Sequence, residues 1–152
     1  MKLKAADVRG LAKLAQEEGQ RLDLHGRDLS GLGLYKANLS RADMREADLT
    51  QTNVAGGDLS GADLSGAVMT QAALAKARLN RANLSGADLG QANLGQANLQ
   101  DADLTLASLI GANLVGADLS GANLRGARYD LYTRWSIDFD PEAAGAVFAL
   151  ST

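Results

Sequence analysis

An apolar residue recurs at every fifth position from Leu24 to Tyr129, through Leu29, Leu34, Leu39, Met44, Leu49 and Val54 and on to Leu124, 22 positions without an insertion. No single regular element can bury such a series. A helix turns about 100° per residue, so a step of five rotates the apolar position by about 140° and smears it around the cylinder. A strand alternates its faces, so an odd step sends successive apolar residues to opposite sides. The chain must therefore change direction once per repeat. Two residues before the beat stands Ala in 17 of the 22 cases, the exceptions being Leu22, Arg27, Leu32, Thr52 and Gly57. Between them stands mostly Asp or Asn. Ala-Asx-Leu thus reads in–out–in, a three-residue extended piece, and the remaining two residues form a corner. Gly takes the second corner position in ten repeats, as a positive φ would ask. The segment Gln71–Ala77 alone has helix propensity, but unbroken phase from Leu24 to Tyr129 outweighs it.

A chain that bends repeatedly and buries one side is a solenoid. Its rungs would lie ~4.8 Å apart and exchange backbone hydrogen bonds. Each buried Leu contributes ~1.5–3 kcal/mol against the conformational entropy of the chain. The repeats GADLS, RANLS, QANLG and GANLR, spread over Leu22 to Asp130, closely resemble the pentapeptide repeat family. That resemblance implies an all-β fold, a right-handed quadrilateral β-helix with four repeats to each coil. About five and a half coils would stack over roughly 26 Å. Departures from the pattern are Arg27, Gly33, Thr52, Gly57 and three successive losses of the acid, at Val68, Ala73 and Arg78.

Both ends differ from the repeats. Residues 1–20 read as a helical N-terminal cap: Lys4 to Glu18 is amphipathic, with Val8, Leu11, Leu14 and Ala15 on one face and Gly19 as C-cap. Residues 21–130 form the solenoid and 131–152 a C-terminal cap. After Tyr129 the beat stops, and five of the six aromatics, Tyr129, Tyr132, Trp135, Phe139 and Phe148, lie at or beyond that point. Asp140-Pro141-Glu142 reads as a helix start. The tail resembles the ends of cyanobacterial pentapeptide repeat proteins. Its aromatics either cap the stack or form a dimer interface.

Composition narrows the function. The chain has no Cys, which removes thiolate chemistry and Cys-ligated metal. The first residues lack an apolar signal-like run and no stretch approaches ~18 apolar residues, so a cytoplasmic location is expected, away from membranes. A net charge of −3 argues against direct nucleic-acid binding. His25, the one histidine, sits at a corner near Asp23 and Asp28, ordinary repeat acids. No nucleotide, metalloprotease or calcium motif appears, so no enzyme, cofactor or metal is expected. With four repeats to a coil the acids fall into columns: Asp23, Asp43, Asp63 and Asp103 in one, Asp28, Asp48 and Asp88 in the next. They either accept backbone hydrogen bonds, as Asx side chains do in turns, or form a negative rod. The resemblance gives the second reading a role, because some pentapeptide repeat proteins bind DNA gyrase as DNA mimics, often with an interrupting loop or a dimerising C-terminal end. Free exchange of Asp for Asn favours the first.

Two groups are candidate partner-binding residues. Lys36, Arg41, Lys76, Arg78 and Arg81 gather on adjacent columns around Gly56 and Gly61. They are either a site for a small anion or acidic partner, or charge alternation in which Arg78 pairs with Asp58. Leu106, Ile110 and Val115 break outward on successive faces of one coil, sheltered by the tail or forming a docking band. The expected function is a non-enzymatic binding or scaffold protein whose partner is another protein, acting as a monomer or as a dimer through its C-terminal end.

Overall fold

The computed structural model describes residues 2–150; Met1, Ser151 and Thr152, which fall within the expected end caps, lie outside the described residues. Element order is a helix α1 (Ala5–Glu17), a four-sided stack, and a last pair of short parallel strands, β1 (Arg128–Tyr129) and β2 (Val147–Phe148). The stack is a right-handed parallel β-solenoid. Its bridges join Asp23 to Asp43, Asp28 to Asp48, Gly33 to Asn53 and Asn38 to Asp58, and they keep this spacing until the tail. Four repeats therefore complete one coil. We number the faces by their outward residues: the first holds Asp23, Asp43 and Asp63, the second Asp28, Asp48 and Val68, the third Gly33, Asn53 and Ala73, and the fourth Asn38, Asp58 and Arg78.

Each face is short, so each rung is bridged at a single residue. The Leu24 N–H donates up to the Asp43 carbonyl at 2.7 Å, and the Asp43 N–H donates down to the Leu22 carbonyl at 2.8 Å. The corner then closes on itself, Arg27 N–H to Leu24 carbonyl at 3.1 Å. Every position of the fifth-residue column from Leu24 to Leu114 is at most 1% exposed. With Ala beside it, this column forms a dry core small enough for four walls to enclose. Thr52 takes an Ala place without harm, because its hydroxyl donates to the Leu29 carbonyl at 2.8 Å. Gly57 takes another beside Val54, where a Cβ would lie 2.7 Å from Val54 Cγ1.

The second corner residue has positive φ throughout the coils, not only at its glycines. Eleven non-glycine residues share it, among them Lys36, Arg41, Gln71, Lys76, Arg81 and Leu106, with φ between 55° and 61°. Each costs about 1–2 kcal/mol in the left-handed region. None is β-branched, as the steric argument requires. Gln51, Gln71 and Gln91 offset part of that cost with a side-chain ladder, amide to amide at 2.8 and 3.0 Å.

The ends correct the sequence reading in three places. Helix α1 covers the first coil and ends at Gly19, φ 64°, where the Gly19 and Gln20 N–H groups bond back to the Gln16 and Ala15 carbonyls. Its buried residues, however, are Val8 and Ala12 with Ala5 and Ala15 packed alongside, while Leu11 and Leu14 are exposed. Small residues let the helix lie close, and Arg9 and Gln16 beside them bond the carbonyls of Tyr35 and Asn38. Secondly, the coil does not stop at Tyr129. Arg134 bridges Asn113, a step of 21 that reflects one extra corner residue, and β2 then adds a strand above β1. Thirdly, Asp140-Pro141-Glu142 starts a turn and not a helix. Asp140 Oδ1 accepts from the Ala143 N–H at 3.1 Å, and Gly145, φ 92°, ends it within one turn.

In the tail, Tyr129 packs edge-on against Trp135 (5.7 Å) and Phe148 (5.5 Å), and Trp135 stacks on Phe139 at 5.0 Å. Tyr132 stands apart, exposed. The extra corner is stapled by Asp130. One of its carboxylate oxygens accepts the N–H groups of Gly111, Tyr132 and Thr133, each at 3.0 Å. Burial pushes this carboxyl up, but those hydrogen bonds outweigh it and hold it below the usual range.

Candidate partner-binding surface

The outward Asp or Asn of a repeat is mostly consumed by its own corner. Its Oδ1 accepts the backbone N–H two residues on, as Asp23 does from His25 at 3.0 Å and Asn98 from Gln100 at 3.0 Å. Asp and Asn serve this purpose equally. Ser at the first corner position adds a hydroxyl donor, as Ser30 does to Asp28 at 2.6 Å and Ser120 to Asp118 at 2.6 Å. These serines are the leading cause holding both carboxyls below the usual range. Asp43 goes further. Its two oxygens take a bidentate pair from Arg45, 2.8 and 2.6 Å, and the Arg45 hydrogen bond lowers its pKa to about 2. The acids are thus corner locks as well as charges.

Val68, Ala73 and Arg78 provide no such lock. Among the described residues, the N–H groups of Thr70, Ala75 and Asn80 have no acceptor, although neighbouring corners are closed. Arg78 does pair with Asp58, one rung away, at 3.3 Å. Exposed on that pair's outer side, it contributes ~0–1 kcal/mol to stability.

The remaining basic residues occupy the two corners that bound the fourth face. Lys36 and Lys76 lie on the corner between the third and fourth faces, with Gly56 on the rung between them; Arg41 and Arg81 lie on the next corner, with Gly61 between. The glycines serve as beds. A Cβ at Gly56 would come within 3.2 Å of Lys36 Cγ, and one at Gly61 within 3.5 Å of Arg41 Cγ, so these side chains lean along the stack toward the C-terminal end. Lys36 also lies beside the Tyr35 ring, Nζ 5.3 Å from its centre. Among the described residues, none of Lys36, Arg41, Lys76 and Arg81 forms an ion pair with a carboxylate. The structure therefore brings the five basic residues to one side, and occupies one of them.

It does not bring the apolar trio together. Leu106, Ile110 and Val115 lie on three different corners. Leu106 is 70% and Val115 41% exposed, so the tail leaves both uncovered, while Ile110 is half-buried. His25 is exposed, with Nε2 3.9 Å from Glu46. Among the described residues, no group of three His, Asp or Glu is placed to hold a metal ion, and no helix is long and apolar enough to cross a membrane. The sequence reading missed Asp130 and Thr133, whose roles arise only from the extra corner residue, and the unlocked N–H groups. Loss of the acid at three successive repeats was their visible signal.

Comparison with known proteins agrees with this architecture. A pentapeptide repeat family model matches in eight copies, over residues 20–54, 58–91 and 87–126. The solved pentapeptide repeat protein Rfr23 from the cyanobacterium Cyanothece 51142 is 29% identical, with a TM-score of 0.76 over 84% of this chain and 98% of that one. The pentapeptide repeat protein alr5209 from Nostoc Pcc 7120 is 42% identical, with a TM-score of 0.48 over 74% of this chain and 84% of that one. QnrB1, a plasmid-mediated fluoroquinolone resistance protein, is 22% identical at a TM-score of 0.47, over 85% and 80%. No curated protein matches the chain. The beat of five, the coil of four repeats and the family match over most of the sequence agree, and the chain belongs to the pentapeptide repeat family.

Proposed function

We propose that this chain is a non-enzymatic scaffold that binds another protein through the flat sides of its solenoid, in the cytoplasm and without a cofactor. One observation carries the reading. A backbone fixed rung by rung presents Lys36, Arg41, Lys76 and Arg81 on two adjacent corners with no internal carboxylate against them, among the described residues. Rigid presentation lowers the ordering cost of association. The test is affinity capture with the full chain and a Lys76→Glu/Arg81→Glu variant, followed by reconstitution of any captured protein from purified components. The reading expects a saturable one-to-one complex; weakening by the variant assigns it to the two basic corners, and equal binding assigns it to another side of the solenoid. Failure of the full chain to retain any protein above a bead control would defeat it.

A gyrase-directed DNA mimic is the second reading, favoured by Asp23, Asp43, Asp63 and Asp103 in one column. Asn83 and Asn123 interrupt that column, Arg45 neutralises Asp43, and Val68 and Ser108 interrupt the next. A mimic of regularly spaced phosphates needs a more continuous charge. Supercoiling by purified gyrase, assayed with and without the chain, separates the two. Self-association is proposed at the C-terminal end, where Leu131, Tyr132, Ile137 (98%) and Leu150 are exposed; sedimentation of the chain against Ile137→Lys tests it.

A further inference from the structure

We propose that the fourth face docks an extended acidic segment of the partner protein, with one carboxylate seated at Ala75–Lys76 and a second at Asn80–Arg81. The inference rests on the scaffold reading above and adds the partner's chemistry. At most other corners the N–H of the first corner residue is closed by a carboxylate or amide oxygen of the chain itself, as at Asp58 to Ser60 and Asn98 to Gln100, both 3.0 Å. On the rung between those two, Ala73 and Arg78 leave the Ala75 and Asn80 N–H groups without that acceptor. Each open N–H is followed directly by an outward cation, Lys76 or Arg81, held at φ 58° or 60°. Arg78 sits between them. A donor with a neighbouring cation is the arrangement a carboxylate fits, since charge-assisted hydrogen bonds are the stronger ones. At this corner the Asn80 side chain is unmet as well. Its Oδ1 is buried without a partner among the described residues, so swinging it outward breaks no hydrogen bond of that atom.

The two seats flank one short face, which puts them on the order of 10 Å apart. An extended peptide advances about 3.3 Å per residue, so acids three positions apart span them. Charge decides against nucleic acid as the occupant. The chain carries a net −3, and the first face, next around the Arg41–Arg81 corner, displays Asp43, Asp63 and Asp103, which would repel a polyanion running on past the two seats.

The experiment is amide NMR titration of the full chain with a short synthetic peptide bearing two glutamates three positions apart, and with its two-glutamine counterpart. The expected result is saturable shifts centred on the Ala75 and Asn80 amides, absent with the glutamine peptide and weakened by added salt. Lys76→Glu/Arg81→Glu should weaken binding at least tenfold. Ala73→Asn supplies the missing acceptor from within, without changing charge. It should weaken binding severalfold while thermal stability holds or rises, so that lost binding cannot be lost folding. Shifts centred elsewhere, equal binding of the two peptides, an Ala73→Asn variant that binds as well as the parent, or tighter binding of single-stranded DNA to the same amides would each overturn the proposal. If a captured protein binds the parent and the charge-reversed variant equally, this inference fails while the scaffold reading stands; if the parent captures no protein, the scaffold reading itself fails.

Discussion

The central coils and the tail solve the same problem by opposite means. In the coils, the backbone ladder repeats from one coil to the next, and most Asx side chains close their own corner as their counterparts one coil away do. A lost corner lock, as at Ala73, is absorbed locally because the rungs above and below still hold. The tail has one copy of everything. Asp130 alone joins Gly111 to Thr133, and one aromatic cluster closes the end. Repetition gives tolerance, whereas singular contacts give a definite terminus that depends on each of them.

The largest effect should come from Asp130→Ala. It removes the carboxylate acceptor of the part-buried Gly111 and Tyr132 N–H groups, while the Thr133 N–H keeps the Asp130 carbonyl at 3.2 Å. At about 1–3 kcal/mol for each group left unpaired, chemical denaturation should show a loss of about 3 kcal/mol. Hydrogen exchange should quicken at Gly111 and Tyr132 first. If Asn98→Ala, the matching deletion in the coils, costs as much, the contrast is wrong. Next is Gly57→Ala, where a Cβ meets Val54 Cγ1 at 2.7 Å. Overpacking here should cost about 1–3 kcal/mol, part of it recovered by adding Val54→Ala, as a double-mutant cycle would show. Gln71→Val places a β-branched residue in the left-handed region and breaks the Gln ladder, so a loss of about 1–2 kcal/mol is expected, with Gln71→Gly losing less. The smallest effect concerns pH. The Asp43 carboxyl is depressed to about 2 from 3.8, so its stabilisation is complete above about pH 4 and lost as pH falls toward 2. Arg45→Ala should therefore lower the melting temperature at pH 7, by less as pH falls toward 2, and make no difference once Asp43 is protonated below that.

The coils were legible in the sequence because 22 copies of one constraint leave few folds that satisfy all of them. The Asx role was legible too, since free exchange of Asn for Asp is what a hydrogen-bond acceptor permits and a charge does not. Positive φ at non-glycine corners was not inferred. Its trace, the lack of Val, Ile and Thr at those positions, is a pattern of omission. The helix face was misjudged because hydrophobicity ranked Leu11 and Leu14 above Ala5 and Ala12, whereas close approach selected the alanines. The extra corner residue after Asp130 shifts the phase once, and one shift leaves no period to detect. For the candidate site, the cluster of cations was readable from column arithmetic. Which of them is paired was settled by geometry, at Arg78 and Asp58.

Because four repeats close one coil, the molecule counts in two units. Duplicating a whole coil lengthens the rod by ~4.8 Å and leaves every downstream side chain above its old column. Deleting a single repeat leaves the core intact but rotates everything beyond it by a quarter turn. Such a deletion would unstack the Lys36–Lys76 and Arg41–Arg81 corners if it fell between Gly56 and Gly66, moving a surface without unfolding a protein.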